Sequence, residues 1–387
     1  MTYQKLQATQ LFTGFQLLNN DYVLVVKNNG EIEKIIPVSE AGEGIEKFEG
    51  ILSPGFINCH CHLELSHMKG LIPEQTGLVD FVLKVVNERH HSTEKILEAI
   101  ARAVSEMQNN GIVAVGDICN NDLTIAEKQR KNLHYYNFIE ASGWLPQISK
   151  IRFERAHQLY QQFKTKLPDC EATIVPHAPY SVSENLWQEI QPYFQNETVT
   201  IHNQETVFED EFFTTGSGEF LRLYEKLNID NSHHQPAQTS SLQSYFEKLT
   251  RAKNILLVHN TFTKQEDISF VQRQTNNHQL QIFFCLCANA NLYIEKSLPP
   301  VELLMSNNCQ LVLGTDSLAS NWSLNILDEI KTIQKNFPQI AIEEMMKWAT
   351  INGAKALNMA HELGSFEKGK RPGVNLITPK MTVKKII

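Results

Sequence analysis

The chain has 387 residues, is 42% hydrophobic and 20% charged, and carries a formal net charge of −8. This is the composition of a globular protein long enough for one large α/β barrel or two ordinary domains. It excludes the basic footprint of a nucleic-acid binder, and no run of about 18 apolar residues offers a membrane span.

In chain order, the opening "MTYQKLQATQLF" lacks the apolar stretch of a secretory leader. The seven cysteines follow no repeated spacing and read as reduced thiols, so a cytoplasmic protein is expected. Residues 1–52 hold strand-like runs, "DYVLVVKN" and "EIEKIIPV" among them. Eight short β-rich runs then follow. They are "GFINCH" (55–60), "IVAVGD" (112–117), "LHYYNFIE" (133–140) and "ATIVPH" (172–177), then "TVTIH" (198–202), "ILLVH" (255–259), "LQIFF" (280–284) and "QLVLGTD" (310–316). Helical segments separate most of them, such as "EKILEAIARAVSEMQNNG", which closes on Gly111. Near-continuous apolar strands alternating with helices predict a parallel sheet covered on both faces, and eight such units predict a closed (β/α)8 TIM barrel over 53–362. The strand-like tail "GSFEKGKRPGVNLITPKMTVKKII" is expected to pair with the N-terminal runs, so that 1–52 and 363–387 form a small β-sandwich.

Five of the eight runs finish in His or Asp: His60, His177, His202, His259 and Asp316. Barrel active sites are built from the C-terminal ends of the strands, so these five would meet at one mouth. In "SPGFINCHCHLEL" the period of a strand puts His60 and His62 on one face, with Cys59 and Cys61 on the other. Four consecutive residues cannot close a Cys2His2 zinc site, so the histidines are the pair that would grip an ion. His202 and Asp316 would complete a set of three imidazoles and a carboxylate, suited to one divalent ion: Zn²⁺ first, with Fe²⁺ or Mn²⁺ as alternatives. Glu205, three residues past His202, could shuttle a proton to a substrate atom over the metal, and His259 could hold a developing oxyanion. "HLE" fits half of the nucleobase-deaminase signature, but its P-C-x-x-C partner is absent from the chain. Glu64 is then a pocket residue or a salt-bridge former. His90-His91 and His233-His234 read as solvated, as do Arg152 and Arg155 on a helix face, and Cys285 and Cys287 are not needed as ligands.

"PGFINCHCHLELS", "PHAPYSVS", "HNQET", "VHNTF" and "GTDSLASNWSLNILDE" together resemble the successive motifs of the amidohydrolase superfamily, over about residues 50 to 370. The branch they resemble is the mononuclear one of cytosine, guanine, adenosine-derivative and aminofutalosine deaminases and s-triazine chlorohydrolases. The resemblance implies His60, His62, His202 and Asp316 as metal ligands, and Glu205, His259 and Asp316 as catalytic residues. His177 matches a substrate-contact position; Glu64 and Asn291 join it as candidate substrate-binding residues. The fourth run, "ATIVPH", has no lysine to carry a second metal. The family's "CPxSN" reads "CANAN" here, keeping Cys287 and Asn291. The implied function is hydrolytic deamination of a small aminated heterocycle or nucleoside-like metabolite by a metal-activated water. Hydrolysis of a cyclic amide or a carbon–halogen bond by the same site is the alternative, and a silent assembly or regulatory barrel a third. The expected partner is a small-molecule substrate, neither nucleic acid nor membrane, and the family-level expectation is a homodimer.

Overall fold

Strands with continuous burial and strands with one wet face separate into different sheets in the computed structural model, which describes residues 3–275 and 280–387. Residues 1 and 2, part of the terminal layer expected from the sequence, lie outside the described residues. Strands β1 (Tyr3–Phe12), β2 (Leu17–Leu18), β3 (Tyr22–Lys27), β4 (Ile32–Pro37) and β5 (Ile45–Ser53) come first. Next are β6 (Phe56–Cys61), β7 (Ile112–Cys119), β8 (His134–Ala141) and β9 (Glu171–Pro176). Then come β10 (Thr198–Asn203), β11 (Asn254–His259), β12 (Gln281–Leu286) and β13 (Gln310–Leu313), before β14 (Asn375–Ile377) and β15 (Val383–Lys385). All eight runs expected as barrel strands are strands.

The terminal segments do pair. One seven-stranded sheet runs β15-β14-β5-β1-β3-β4, with β2 against β1. Its apolar side, with Leu6, Leu24, Val26, Leu52 and Leu376, forms a core of its own. Its tie to the rest is backbone-close: Gly55 N donates to Pro372 O (2.9 Å), and Asn375 Nδ2 donates to Gly111 O (2.8 Å). A side chain at Gly55 would press within 2.2 Å of Val113 Cγ1 and 2.7 Å of Pro372 O, so only glycine lets the strands approach.

The remaining strands form two parallel sheets, β6-β7-β8-β9 and β10-β11-β12-β13. Every residue of β6, β10 and β11 is buried, as expected of strands covered on both faces. The two sheets touch at both seams. His202 N donates to His177 O (3.0 Å), while Thr315 N and Asp316 N both donate to His60 O (3.0 and 3.1 Å). The last and fourth runs stop short of their expected ends, at Leu313 and Pro176. For the last, Asp316 has a left-handed φ of 56°, which breaks the pleat. Around the strands, the helix Thr93–Asn109 buries Ile96, Ala99, Ile100, Ala103, Val104 and Met107, the stripe of an amphipathic helix. Ser92 caps its start, accepting from Lys95 N, and Gly111 ends the following turn at a φ of 76°. Among the described residues no helix is long and apolar enough to cross a membrane.

One polar group inside this apolar architecture was overlooked in the sequence. Asp117, at the end of "IVAVGD", and Lys128 are fully buried and paired at 2.5 Å. Asp117 Oδ1 accepts from Leu63 N (2.9 Å), and Lys128 also donates to Asn137 Oδ1 (2.7 Å) between the rings of Tyr135 and Phe163. Burial pulls the Lys128 ammonium down, but Asp117 and Cys119 outweigh it and hold the charge. Lys128→Met is therefore expected to strand a buried carboxylate and cost about 3–5 kcal/mol in denaturant titrations. The double variant with Asp117→Asn is expected to recover part of this. A Lys128→Met protein as stable as the parent would show that the pair is not a structural tie.

Candidate active site

Parallel strands bring their ends to one level, and the polar residues that finish them converge there. Nε2 of His62 lies 3.2 Å from His60 Nε2 and 3.3 Å from His202 Nε2. Asp316 Oδ1 stands 3.6 Å from His60 Nε2 and 3.4 Å from His62 Nε2. Donors about 2.0–2.2 Å from a tetrahedral ion are separated by about 3.3–3.6 Å, and these four separations match that spacing. All four residues are buried. His202 Nδ1 hydrogen-bonds His177 O (2.6 Å), which fixes the tautomer and leaves Nε2 as a lone-pair donor. Ser320 Oγ donates to Asp316 Oδ2 (2.5 Å), leaving Oδ1 for the cluster. Cys59 turns away and packs against Gly353, and all seven cysteines are free thiols.

The electrostatics match this donor set. Burial, with Asp316 opposing, lowers His62 to about 3, and burial with neighbouring imidazoles lowers His202 well below its ordinary value. Burial pushes Asp316 up, but the surrounding histidines outweigh it and hold the carboxylate well below its usual range. Neutral imidazoles around an ionised carboxylate are the form that binds a cation.

The flanking residues are held under strain. Gln204, His259 and Asp316 have φ values of 45°, 74° and 56°, a region non-glycine residues rarely occupy. Gln204 is clamped: its backbone N donates to Glu209 Oε1 (2.8 Å), its Nε2 to Asp267 (2.8 Å), and Thr263 donates to its Oε1 (2.7 Å). That clamp presents Glu205, whose Oε1 lies 3.6 Å from His259 Nε2. Burial, then Asp316 and Glu295, raises the Glu205 carboxyl well above the carboxylate range. His259 Nδ1 donates to Asn291 Oδ1 (2.7 Å), which leaves the Nε2 lone pair facing Glu205.

These groups floor a cavity of about 640 Å³. His62, His177, His202, Glu205, His259 and Asp316 line it, as does Glu64. Asn291 does not; it is buried behind His259 and positions that ring rather than touching the cavity. Glu140 also lines the cavity, with Oε1 3.8 Å from His202 Nδ1. It was missed, although it ends the third run as the histidines end theirs. Arg152, expected on a solvated helix face, reaches the cavity wall with its stem against Gly143. The pair expected to be solvated, His233-His234, instead packs on the wall. The His234 ring stacks on Phe212 at 4.1 Å, and both imidazoles lie against Trp144, which itself stacks on Tyr224.

Comparison with known proteins agrees with this picture. Residues 51–387 match the family described as Amidohydrolase family. An adenosine deaminase of Helicobacter pylori (strain ATCC 700392 / 26695) is 25% identical over 332 residues, covering 84% of this chain and 78% of its own. The crystal structure of Helicobacter pylori aminofutalosine deaminase in complex with methylthio-coformycin superposes with a TM-score of 0.81 at 21% identity, covering 97% of this chain and 92% of the other. An adenosine deaminase from Xanthomonas campestris with bound zinc gives 0.71 at 19% identity, covering 97% and 84%. With a match spanning nearly the whole of both parallel sheets and the ligand cluster at their ends, the chain belongs to the amidohydrolase family.

Proposed function

We propose that this chain is a mononuclear metal-dependent aminohydrolase that removes an exocyclic amine from a small, nucleoside-like aromatic heterocycle. The observation that carries the reading is Glu205, a buried carboxyl whose Oε1 stands 3.6 Å from His259 Nε2, beside the group formed by His60, His62, His202 and Asp316. The reading takes the eight strands as one (β/α)8 barrel over 53–362 and the segments 1–52 and 363–387 as a small β domain. The seam hydrogen bonds and the separate terminal core support this division. Seven free thiols support a cytoplasmic setting.

His60, His62, His202 and Asp316 would hold the ion. Their donor types and spacing suit zinc, and the zinc in the Xanthomonas structure supports that choice. When bound, such an ion acidifies water and polarises the reacting carbon's substituents. The protein's own groups supply the proton traffic. Glu205 gives its proton to the ring nitrogen beside the amine-bearing carbon, which makes that carbon electrophilic. Asp316 takes a proton from the attacking water, and the lone pair on His259 Nε2 orients that water. The C–N bond then breaks, and the amine leaves as ammonia with the proton Asp316 returns, while the remaining hydroxyl proton of the added water passes to Glu205 and restores its carboxyl. The ring keeps one oxygen in place of one nitrogen. His177, tied to Ser181 Oγ at 2.7 Å, stays neutral because burial and His60 lower it to about 4, and it offers a hydrogen bond rather than a charge to the substrate.

Ammonia release from a panel of aminated purines, pyrimidines, pterins and adenosine derivatives tests the reading. Glu205→Gln is expected to lower kcat by about 10²–10⁴-fold while retaining the metal; full turnover in that variant would remove Glu205 from the proton path. For the metal cluster, His202→Asn is expected to drop bound zinc from about one ion per chain to under about a tenth, read by elemental analysis after dialysis. Undiminished zinc in His202→Asn would place the ion elsewhere.

A further inference from the structure

The proton path above leaves one wall of the cavity without a task. Glu205, His259 and Asp316 follow β10, β11 and β13, whereas Glu64 and Glu140 belong to the opposite, β6–β9 side. The two carboxylates are joined through one residue. Asn120 N donates to Glu64 Oε2 (2.9 Å), and Asn120 Nδ2 donates to Glu140 Oε2 (2.8 Å). Each carboxylate therefore has one oxygen committed and one left over. Glu140 Oε1 is buried with no hydrogen-bond partner, on a side chain only 5% exposed. The nearest ring nitrogen, His202 Nδ1 at 3.8 Å, already bonds His177 O. Among the described residues no hydrogen bond reaches Glu64 Oε1 either, and Glu64 is 3% exposed on the same cavity.

A buried acceptor without a donor is costly, so the donor missing at Glu140 Oε1 is expected to come from the ligand, and Glu64 Oε1, open to the same cavity, can accept a second one. Charge restricts what that ligand group can be. Arg89 lines the same cavity, yet among the described residues it hydrogen-bonds neither carboxyl group. An anionic group would face two carboxylates, and a cationic one would face Arg89. A neutral group carrying two adjacent hydroxyl donors meets neither repulsion.

We propose that Glu64 and Glu140, braced by Asn120, form a paired acceptor for a vicinal diol, so that the substrate is the glycosylated heterocycle rather than the free base. The inference rests on the aminohydrolase reading for the identity of the ring, but its test does not require turnover. Calorimetry on the zinc-loaded Glu205→Gln protein would compare adenosine with 2′,3′-dideoxyadenosine. The diol is expected to improve affinity by about 5- to 150-fold, the worth of two hydrogen bonds. Adding Glu140→Ala is expected to cut that preference at least about twofold while leaving 2′,3′-dideoxyadenosine binding and zinc content unchanged. Equal binding of the two probes, no binding of either, or a preference untouched by Glu140→Ala would overturn the proposal. The probe comparison needs no substitution at Glu140, so misfolding of that variant does not blunt it. A diol preference in a wild-type protein that releases no ammonia from any panel member would overturn the deaminase reading and leave this one standing. Ammonia release without a diol preference would do the reverse.

Discussion

Three imidazoles and a carboxylate crowded away from water, with His62 Nε2 3.2–3.4 Å from the other three, form the contact around which the rest is arranged. Burial lowers His62 and His202, while the surrounding histidines outweigh burial and hold Asp316 well below its usual range, a set that is poorly solvated by itself and well matched to a cation. The neighbouring structure reads as a means of holding it. Ser320 occupies the second oxygen of Asp316, and Asn58 and Thr315 exchange two hydrogen bonds across the β6–β13 seam beneath it. The left-handed backbones of Gln204, His259 and Asp316 tilt their side chains off the strand axes, and buried amide and carboxyl partners keep them there. Strain is tolerated where the surroundings over-determine it.

The two halves of the mouth differ in chemistry. The β10–β13 side carries Glu205, His259 and Asp316, whereas the β6–β9 side carries two further carboxyl groups and an imidazole with fixed hydrogen bonds. Above them the wall turns apolar, with Leu78, Val82 and Val85 from one helix facing Tyr224 and Leu227 from another. Polar floor and apolar rim are the usual composition of a pocket that orients a small ligand.

Much of this was legible in the sequence because it follows from period and phase. Eight buried runs predict eight strands, and five of them ending in His or Asp predict where those side chains meet. Alternation separated His60 and His62 from Cys59 and Cys61. The misses share a cause: roles that depend on contacts between segments far apart in the chain. Glu140 and Asp117 end their runs as the histidines do, but an acid at a strand end carries no spacing signature, and only the partners brought by folding tell the pocket residue from the structural one. Asn291 sits in a motif that suggested substrate contact, yet His259 lies between it and the cavity. The run "DNSHHQ" has the composition of a solvated loop, and nothing local reveals that Trp144 and Phe212 wait to receive its imidazoles. Backbone conformations such as that of Asp316 are likewise invisible to periodicity, so the last strand was drawn three residues too long.

The antiparallel pairing of β14 with β5, Leu376 opposite Leu52, has a consequence for how the molecule is made. Strand β5 leads into β6 through the glycine that binds Pro372, so the strand carrying His60 is anchored by residues synthesised some 300 positions later. During synthesis at about 5–20 residues per second, that edge waits many seconds with its ladder partner missing. A nascent chain halted before β14 would therefore expose an open sheet edge beside a nearly complete mouth, the state most in need of a chaperone.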